Sequence, residues 1–571
     1  MKRSFFMKTA GDAPDGWDKE TFVLREELAA VDDESVFEVL RLMYEHRPEE
    51  EWSVPLYQII WTHLATPYPD KGALLDLVPL AQRLMTHITE NNVDELIVDS
   101  QLPEVYVAVA KDVCTQLDCK LSCQNEQSGV EQVVEWAKKT ARIFRQAGLL
   151  LLDQLLSLVL PKDYSPNGRP ISVFPYPDRF DSTLPIAEAL DGDANCLIPR
   201  LRLQFYWSSL NLDYEPDVCS YQNYITLGII RRELRVLGEI VNPVGRDEMV
   251  ASLLPLFKRE YGVALPNTVQ TATRVVFEQN IRSLMYFCWA VDYFENTDVN
   301  AAVIGGPNPR DFAILEAAQR KDVDTYYVHH STVTGTEFLP PSDTTYFVPS
   351  KIGVNHIKRI YDGGDIPELL EIGRPYFEVA YDVNSLGTPN KLEETTPFTV
   401  LIATQPFEDD VRSEFLKTIL EACMESNLVD EIKIKTHPDE TPEFYQRQVD
   451  QLADCDYVTM ASDDLGREIK DASLLMTINS NVGLEAMLNG TPTVCYNSWY
   501  PAIQNKPYAR APQVPLLKTN EALSEFVSEQ TPKSVTALAS EQREFAHEQF
   551  LLEESAADAI AEVIRARSLN Q

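Results

Sequence analysis

Apolar residues in this chain fall repeatedly into blocks of four or five, each followed by a polar turn and then a helix-length stretch. ELIVDSQLPEVYVAVAKDV, beginning at Glu95, reads as a buried strand, a turn over 99–103 and a helix. ISVFPYPDRFDSTLPIAEAL repeats the pattern from Ile171. It returns as NAAVIGG, RDFAILEAAQRKD and TYYVHHS, and again from TTYFVPSKIGVNHIKRIY to LEIGRPYFEVAYD. Further on, FTVLIATQP precedes a helix whose Val411, Phe415, Ile419 and Cys423 form one apolar stripe. The strands IKIKT, YVTM, LLMTIN and TVCY follow. Fully apolar strands alternating with helices predict an α/β fold of parallel sheets covered on both faces.

The breaks in this rhythm predict the domains. Residues 1–90 read as an acidic, helical N-terminal extension. Residues 91–382 form an amino-terminal Rossmann-like domain with helical insertions near 131–160 and 197–290; the aromatics of the second insertion are better suited to a core than to a ligand cage. VNSLGTPNKLEETTP, residues 383–397, lacks periodicity and carries turn formers, so it is a linker. Residues 398–539 make a carboxy-terminal Rossmann-like domain, and a helix over 540–571 closes the chain. Two such domains face one another across a cleft between strand ends, where ligands of α/β folds gather. Neither GxGxxG nor Walker A occurs, which removes the main support for dinucleotide or P-loop chemistry.

Charge narrows the partners. The 571 residues hold 50 Lys and Arg against 88 Asp and Glu, a net −38, so a broad nucleic-acid interface is disfavoured. Such a surface suits a protein of strong brine, where its self-repulsion is screened, or an ordinary acidic cytosolic protein. Any phosphate site must then be built locally. Nine cysteines without paired CxxC spacing predict a reducing cytosol and no zinc site, with Cys288, Cys423 and Cys495 as core thiols. MKRSFFMKTAGDAPDGWDKE lacks a signal-peptide h-region, and Leu149 to Leu160 is too short and interrupted to span a bilayer. The expectation is a cytoplasmic chain with room for peripheral attachment to the inner membrane face.

The chemistry concentrates in IKIKTHP and LLMTINSNVGLEAMLNGTPTVCYN. Ser480 and Asn481 stand where a strand hands over to a helix, whose free N–H groups and dipole favour an anion. Either residue also serves as an ordinary N-cap. Gly483 permits close approach. Lys435 and His437 end the earlier strand and can donate to a phosphate, or His437 is a strand-end histidine satisfied by backbone. Glu485 either accepts two ribose hydroxyls or is a solvated helix carboxylate. Arg374, in the GRP of LEIGRPYFE, either meets phosphate or pairs with a surplus carboxylate. Gly305, Gly306, Pro307 and Arg310 form another turn that lines the cleft. No DxD motif is placed, so no metal is expected.

Taken in order, VHHST, PSDTTYFVPSKIG, LEIGRPYFE, KTHP and SNVGLEAMLNGTP resemble the GT-B glycosyltransferases of surface and capsular polysaccharides. Within these the group is the Kdo/sialyltransferase-like and CDP-glycerol glycerophosphotransferase-like one. The resemblance covers roughly residues 295–565. It implies the GT-B fold and transfer of a sugar, or polyol phosphate, from a nucleotide-activated donor to a surface glycan or lipid-linked acceptor. It implies a CMP-, CDP- or UDP-linked co-substrate and no tightly bound cofactor. By the family's motifs, His437 contacts the donor phosphate and Glu485 the ribose. VHHST matches the QHG/WHGT element, making His330 the candidate base, with Ser331 where glycine is usual. Asp99, Asp178 and Asp181, each in a loop after an amino-domain strand, are rival bases. A UDP-sugar 2-epimerase and a non-catalytic GT-B scaffold subunit are the competing expectations.

Overall fold

Among the described residues the strands form three parallel sheets. The computed structural model describes residues 4–8, 21–23, 27, 33–45, 74–99, 102–123, 169–175, 182–198, 218–220, 228–232, 244–306, 309–329, 332–333, 339–362, 364–375, 397–407, 409–438, 440–450, 457–462, 464–499, 505–550 and 555–569. The first sheet contains β1 (Ser4–Lys8), β2 (Thr21–Val23), β3 (Glu95–Val98) and β4 (Lys120–Cys123) in the order β2-β1-β3-β4. Helices α1 (Asp33–Glu45), α2 (Leu74–Glu90) and α3 (Glu104–Gln116) accompany it.

This sheet departs from the expected domains. Residues 1–90 supply two strands as well as helices. Strand β3, expected to open the amino-terminal Rossmann-like domain, instead pairs with β1 and β4. The contiguous apolar run Phe5-Phe6-Met7 has neither strand nor helix period, so its partner had to be found in space. Asp99, closing β3, therefore belongs to this sheet, where its backbone N–H donates to Met7 O at 3.0 Å.

The second sheet has seven strands: β5 (Ile171–Phe174), β6 (Ala194–Ile198), β7 (Val218–Ser220), β8 (Ala301–Gly305), β9 (Asp324–Val328), β10 (Thr345–Val348) and β11 (Glu368–Glu371). Their order is β11-β10-β9-β8-β5-β6-β7, all parallel. The strand order reverses beside β5 and β8, as in a doubly wound fold. Its helices are α4 (Leu184–Leu190), α5 (Val244–Tyr261), α6 (Pro266–Glu295), α7 (Pro309–Gln319) and α8 (Lys351–Ile360). Strand β7 lies within the stretch expected to be a helical insertion, so that stretch contributes an edge strand as well. The expected insertion near 131–160 lies outside the described residues.

The start of α6 ties the first two sheets together. Asp112 of α3, itself buried, accepts from the backbone N–H groups of Asn267 and Thr268 at 3.1 and 2.8 Å. With Pro266 in the first turn, the carboxylate satisfies the two donors a helix start leaves open. A single apolar cluster runs from Met7 and Leu40 through Trp289 to Ile304 and Tyr346.

The third sheet holds β12 (Thr399–Ala403), β13 (Glu431–Lys435), β14 (Val458–Met460), β15 (Leu474–Thr477), β16 (Thr493–Tyr496) and β17 (Leu516–Leu517) in the order β14-β13-β12-β15-β16-β17, again all parallel. Around it lie α9 (Asp409–Met424), α10 (Pro442–Val449), α11 (Leu465–Asp471), α12 (Asn481–Leu488), α13 (Asn520–Glu529) and α14 (Pro532–Phe550). Separate apolar clusters cover the two faces of this sheet. The expected closing helix over 540–571 is two helices, α14 and then α15 (Ala556–Ser568). Ser555 caps the second by accepting from Asp558 N at 3.2 Å, a start signal inside an otherwise helical pattern.

Helix α15 crosses back to the seven-stranded sheet. Its Ile560 and Ile564 pack among Val173, Val303 and Phe347, and Ser568 hydrogen-bonds Tyr326 Oη at 2.8 Å. Two doubly wound parallel sheets, with α15 returned to the first of them, give the two-domain α/β architecture expected from the sequence. Cys288, Cys423 and Cys495 are buried free thiols; burial pushes the last two up to about 12. Among the described residues, no helix is long and apolar enough to cross a membrane.

Candidate functional site

The carboxyl ends of β13, β12 and β15 lie side by side, and the polar residues following them form one continuous rim. His437 follows β13, Thr404 and Gln405 follow β12, and Ser480 follows β15. His437 and Ser480 are thus on the same edge of the sheet, separated by a single strand, roughly 10 Å by interstrand spacing.

Each loop is braced by its neighbour. The His437 backbone N–H donates to Thr404 Oγ1 at 3.2 Å and to the Glu440 carboxylate at 3.1 Å. Glu440, with its side chain only 1% exposed, also accepts from Thr404 Oγ1, Tyr445 Oη and, at 3.3 Å, Arg412 Nη1. Burial, followed by the hydrogen bond to Glu440, raises the Tyr445 phenol, so it stays protonated as a donor. Arg412 lies over the Phe444 ring, 4.0 Å from its centroid. On the other flank, Gln405 accepts from Asn479 N at 2.8 Å and donates to Asn479 Oδ1 at 2.9 Å, which holds the turn before α12.

Ser480 caps α12: its hydroxyl oxygen accepts from Val482 N at 3.3 Å. The Tyr508 hydroxyl, from the short turn Pro507–Arg510, donates to Ser480 O. Gly483 sits against Thr493 and Tyr508; a Cβ there would come within 2.8 Å of both side chains. Its role is close packing beneath the rim. Glu485 is 4% exposed, which excludes the solvated alternative.

Asn481 links the two sheets. Its Oδ1 accepts from Thr332 Oγ1, just beyond β9, at 2.8 Å and from Lys506 Nζ at 2.7 Å. The loop after β9 therefore meets the corner after β15.

Lys435 reaches sideways, donating to Ser462 O at 3.0 Å, while Lys433 pairs with Glu468 at 3.1 Å. Glu468 in turn accepts from Ser462 N at 3.0 Å. Burial alone would raise the Glu468 carboxyl, but the Ser462 hydrogen bonds and Lys433 hold it below its usual range.

The other sequence candidates are placed as follows. His330, Ser331, Asp178, Asp181 and Pro307 lie outside the described residues. His329, the neighbour in VHHST, is buried against Tyr327 and Tyr346. Asp99 is on the four-stranded sheet rather than on either sheet that meets at Asn481. Arg374 is buried beyond edge strand β11. Arg310 pairs with Asp311 at 2.6 Å at the start of α7, next to Gly305, whose backbone is closely overlaid by Thr183. Among the described residues, no cluster of His, Cys, Asp or Glu is arranged to hold a metal.

Sequence reasoning missed Gln405, Glu440, Lys506 and Thr332. Signals existed for two: Gln405 ends the apolar run of β12, and Glu440 follows KTHP by two residues. Lys506 and Thr332 become visible only once the chain is folded.

Residues 400–503, the stretch containing this rim, match the family of capsule polysaccharide biosynthesis proteins. No curated protein sequence matches the chain significantly. Among solved structures, the chain is similar to UDP-GlcNAc 2-epimerase from Neisseria meningitidis bound to UDP-GlcNAc, at 12% identity and TM-score 0.41, over 70% of this chain and 99% of that one. It is similar to the spinosyn rhamnosyltransferase SpnG at 15% identity and TM-score 0.41, over 70% and 100%. It is also similar to MurG from Acinetobacter baumannii at 11% identity and TM-score 0.40, over 69% and 99%.

Proposed function

We propose that the chain is a glycosyltransferase of surface-polysaccharide synthesis, moving a sugar or polyol phosphate from a nucleotide-activated donor to a glycan or lipid-linked acceptor. The observation that carries this reading is the rim of His437, Gln405, Ser480 and Asn481 along three adjacent strand ends, inside the segment matched by the capsule family and joined at Asn481 to the facing sheet. The carboxy-terminal sheet takes the CMP-, CDP- or UDP-linked donor, with its phosphate between His437 and the start of α12. Donors preorganised there stabilise the charge that grows on the leaving phosphate. His437 donates through its imidazole, Ser480 through its hydroxyl, and Lys435 and Lys506 contribute positive charge. The acceptor enters from the seven-stranded sheet, where His330, two residues before Thr332, is our candidate base. The net charge of −38 further supports a protein adapted to strong salt.

The test is calorimetric titration of the full chain in high salt with CMP-, CDP- and UDP-linked donors. One class should bind, and His437→Ala and Ser480→Ala should each weaken it about tenfold, the loss of one charge-assisted hydrogen bond. No binding by any donor, or unchanged affinity in both variants, refutes the assignment. Turnover of UDP-N-acetylglucosamine without an acceptor would replace transfer with epimerisation.

A further inference from the structure

Asn481 holds an unusual position in this fold. It opens α12 beside the six-stranded sheet, yet its amide oxygen takes one donor from the loop after β9 of the seven-stranded sheet and one from Lys506 of its own domain. Thr332, buried at 2% exposure, comes from the loop after β9, 149 residues earlier in the chain. Lys506 leads into the turn whose Tyr508 hydroxyl donates to Ser480 O. An amide oxygen has two lone pairs, so these two donors fill it.

We propose that Asn481 is a positioning residue that fastens the loop after β9 to the donor corner, and that Lys506 makes this fastening responsive to a bound nucleotide phosphate. The proposal rests on the donor site read above. An ammonium bonds a phosphate oxygen more strongly than a neutral amide oxygen. A phosphate seated at the start of α12 therefore draws Lys506 toward itself. Thr332 then remains as the donor to Asn481 Oδ1, and the loop is held more firmly. Donor binding on one sheet thereby changes how firmly Thr332, on the other sheet, is held at Asn481. Thr332 is on the opposite sheet from the nucleotide and meets the donor corner at Asn481, so its substitution tests the joint.

The experiment is amide hydrogen exchange on the full chain, with peptides covering 329–333 and 478–489, together with titration of UDP, CDP and CMP. In the wild type, saturating nucleotide should slow exchange in 329–333 at least threefold. Thr332→Val, which keeps the side chain's shape, should abolish that slowing and weaken nucleotide binding by less than threefold. Lys506→Met should weaken binding about tenfold and also abolish the slowing. Asn481→Ala should speed exchange in 329–333 without ligand. If nucleotide binds and 329–333 exchanges at the same rate with and without it, the proposal is overturned. If no nucleotide binds, the donor-site reading fails, and the joint is judged on the free protein. There, faster exchange of 329–333 in both Asn481→Ala and Thr332→Val supports it, and wild-type rates in either overturn it.

Discussion

Replacing Glu440 tests whether the histidine loop is held from beneath. Its carboxylate, almost wholly removed from water, is the shared acceptor for Thr404 Oγ1, Tyr445 Oη, the His437 backbone N–H and Arg412. Glu440→Gln keeps the shape but replaces one oxygen with an NH2 group. If that group faces the Thr404 side, the His437 N–H loses its carboxylate partner. If it faces the other side, a donor meets Arg412 and Tyr445. One unsatisfied buried donor costs about 1–3 kcal/mol, and removing one member of a buried ion pair about 3–5 kcal/mol. The expected loss is therefore about 2–4 kcal/mol for Gln, with Ala at the upper end of the ion-pair range. With a urea slope of about 1–3 kcal/mol/M, the unfolding midpoint should fall by about 1 M or more. Hydrogen exchange should localise the loosening to 431–450. A Glu440→Gln variant with the wild-type midpoint and unchanged exchange over 431–450 would refute the reasoning.

Two further outcomes follow from the same region. Gly483→Ala brings a methyl group within 2.8 Å of Thr493 Cγ2 and Tyr508 Oη, and overpacking of this kind costs about 1–3 kcal/mol. An equal or higher urea midpoint would show that the contact yields freely. Glu468, whose folded carboxyl is held below the ordinary 4.5, stabilises the fold above that value and loses the contribution as pH falls through its lower folded value. The urea midpoint of the wild type should thus be insensitive to this group from pH 7 to 5 and should decline below pH 4.5. Glu468→Gln should flatten that decline, and identical acid profiles for the two proteins would count against the Ser462–Lys433 web.

Strands β5, β8, β9, β10, β12, β13, β14, β15 and β16 were legible because each is a short apolar run bounded by turn residues, a local property of the chain. Strands β6, β7 and β17 were not, and β7 lies in a stretch that reads as helical. IKIKT, LLMTIN and TVCY are strands where the pattern put them, and the stripe of Val411, Phe415, Ile419 and Cys423 faces inward on α9. The cap at Ser480 was legible for the same reason. The strand at 4–8 was not, because Phe5-Phe6-Met7 has no period and acquires its identity from β2 and β3.

By itself, then, the chain's pattern of apolar blocks and polar turns determined the α/β class, the two doubly wound sheets, and the placement of His437 and Ser480 at strand ends. Strand order, the four-stranded sheet containing Asp99, the Glu440 brace and the meeting of Thr332 with Asn481 were decided only in three dimensions. Patterning acts over a few residues along the backbone. These contacts join positions tens to hundreds of residues apart, and the packing of sheets and helices selects which of them meet.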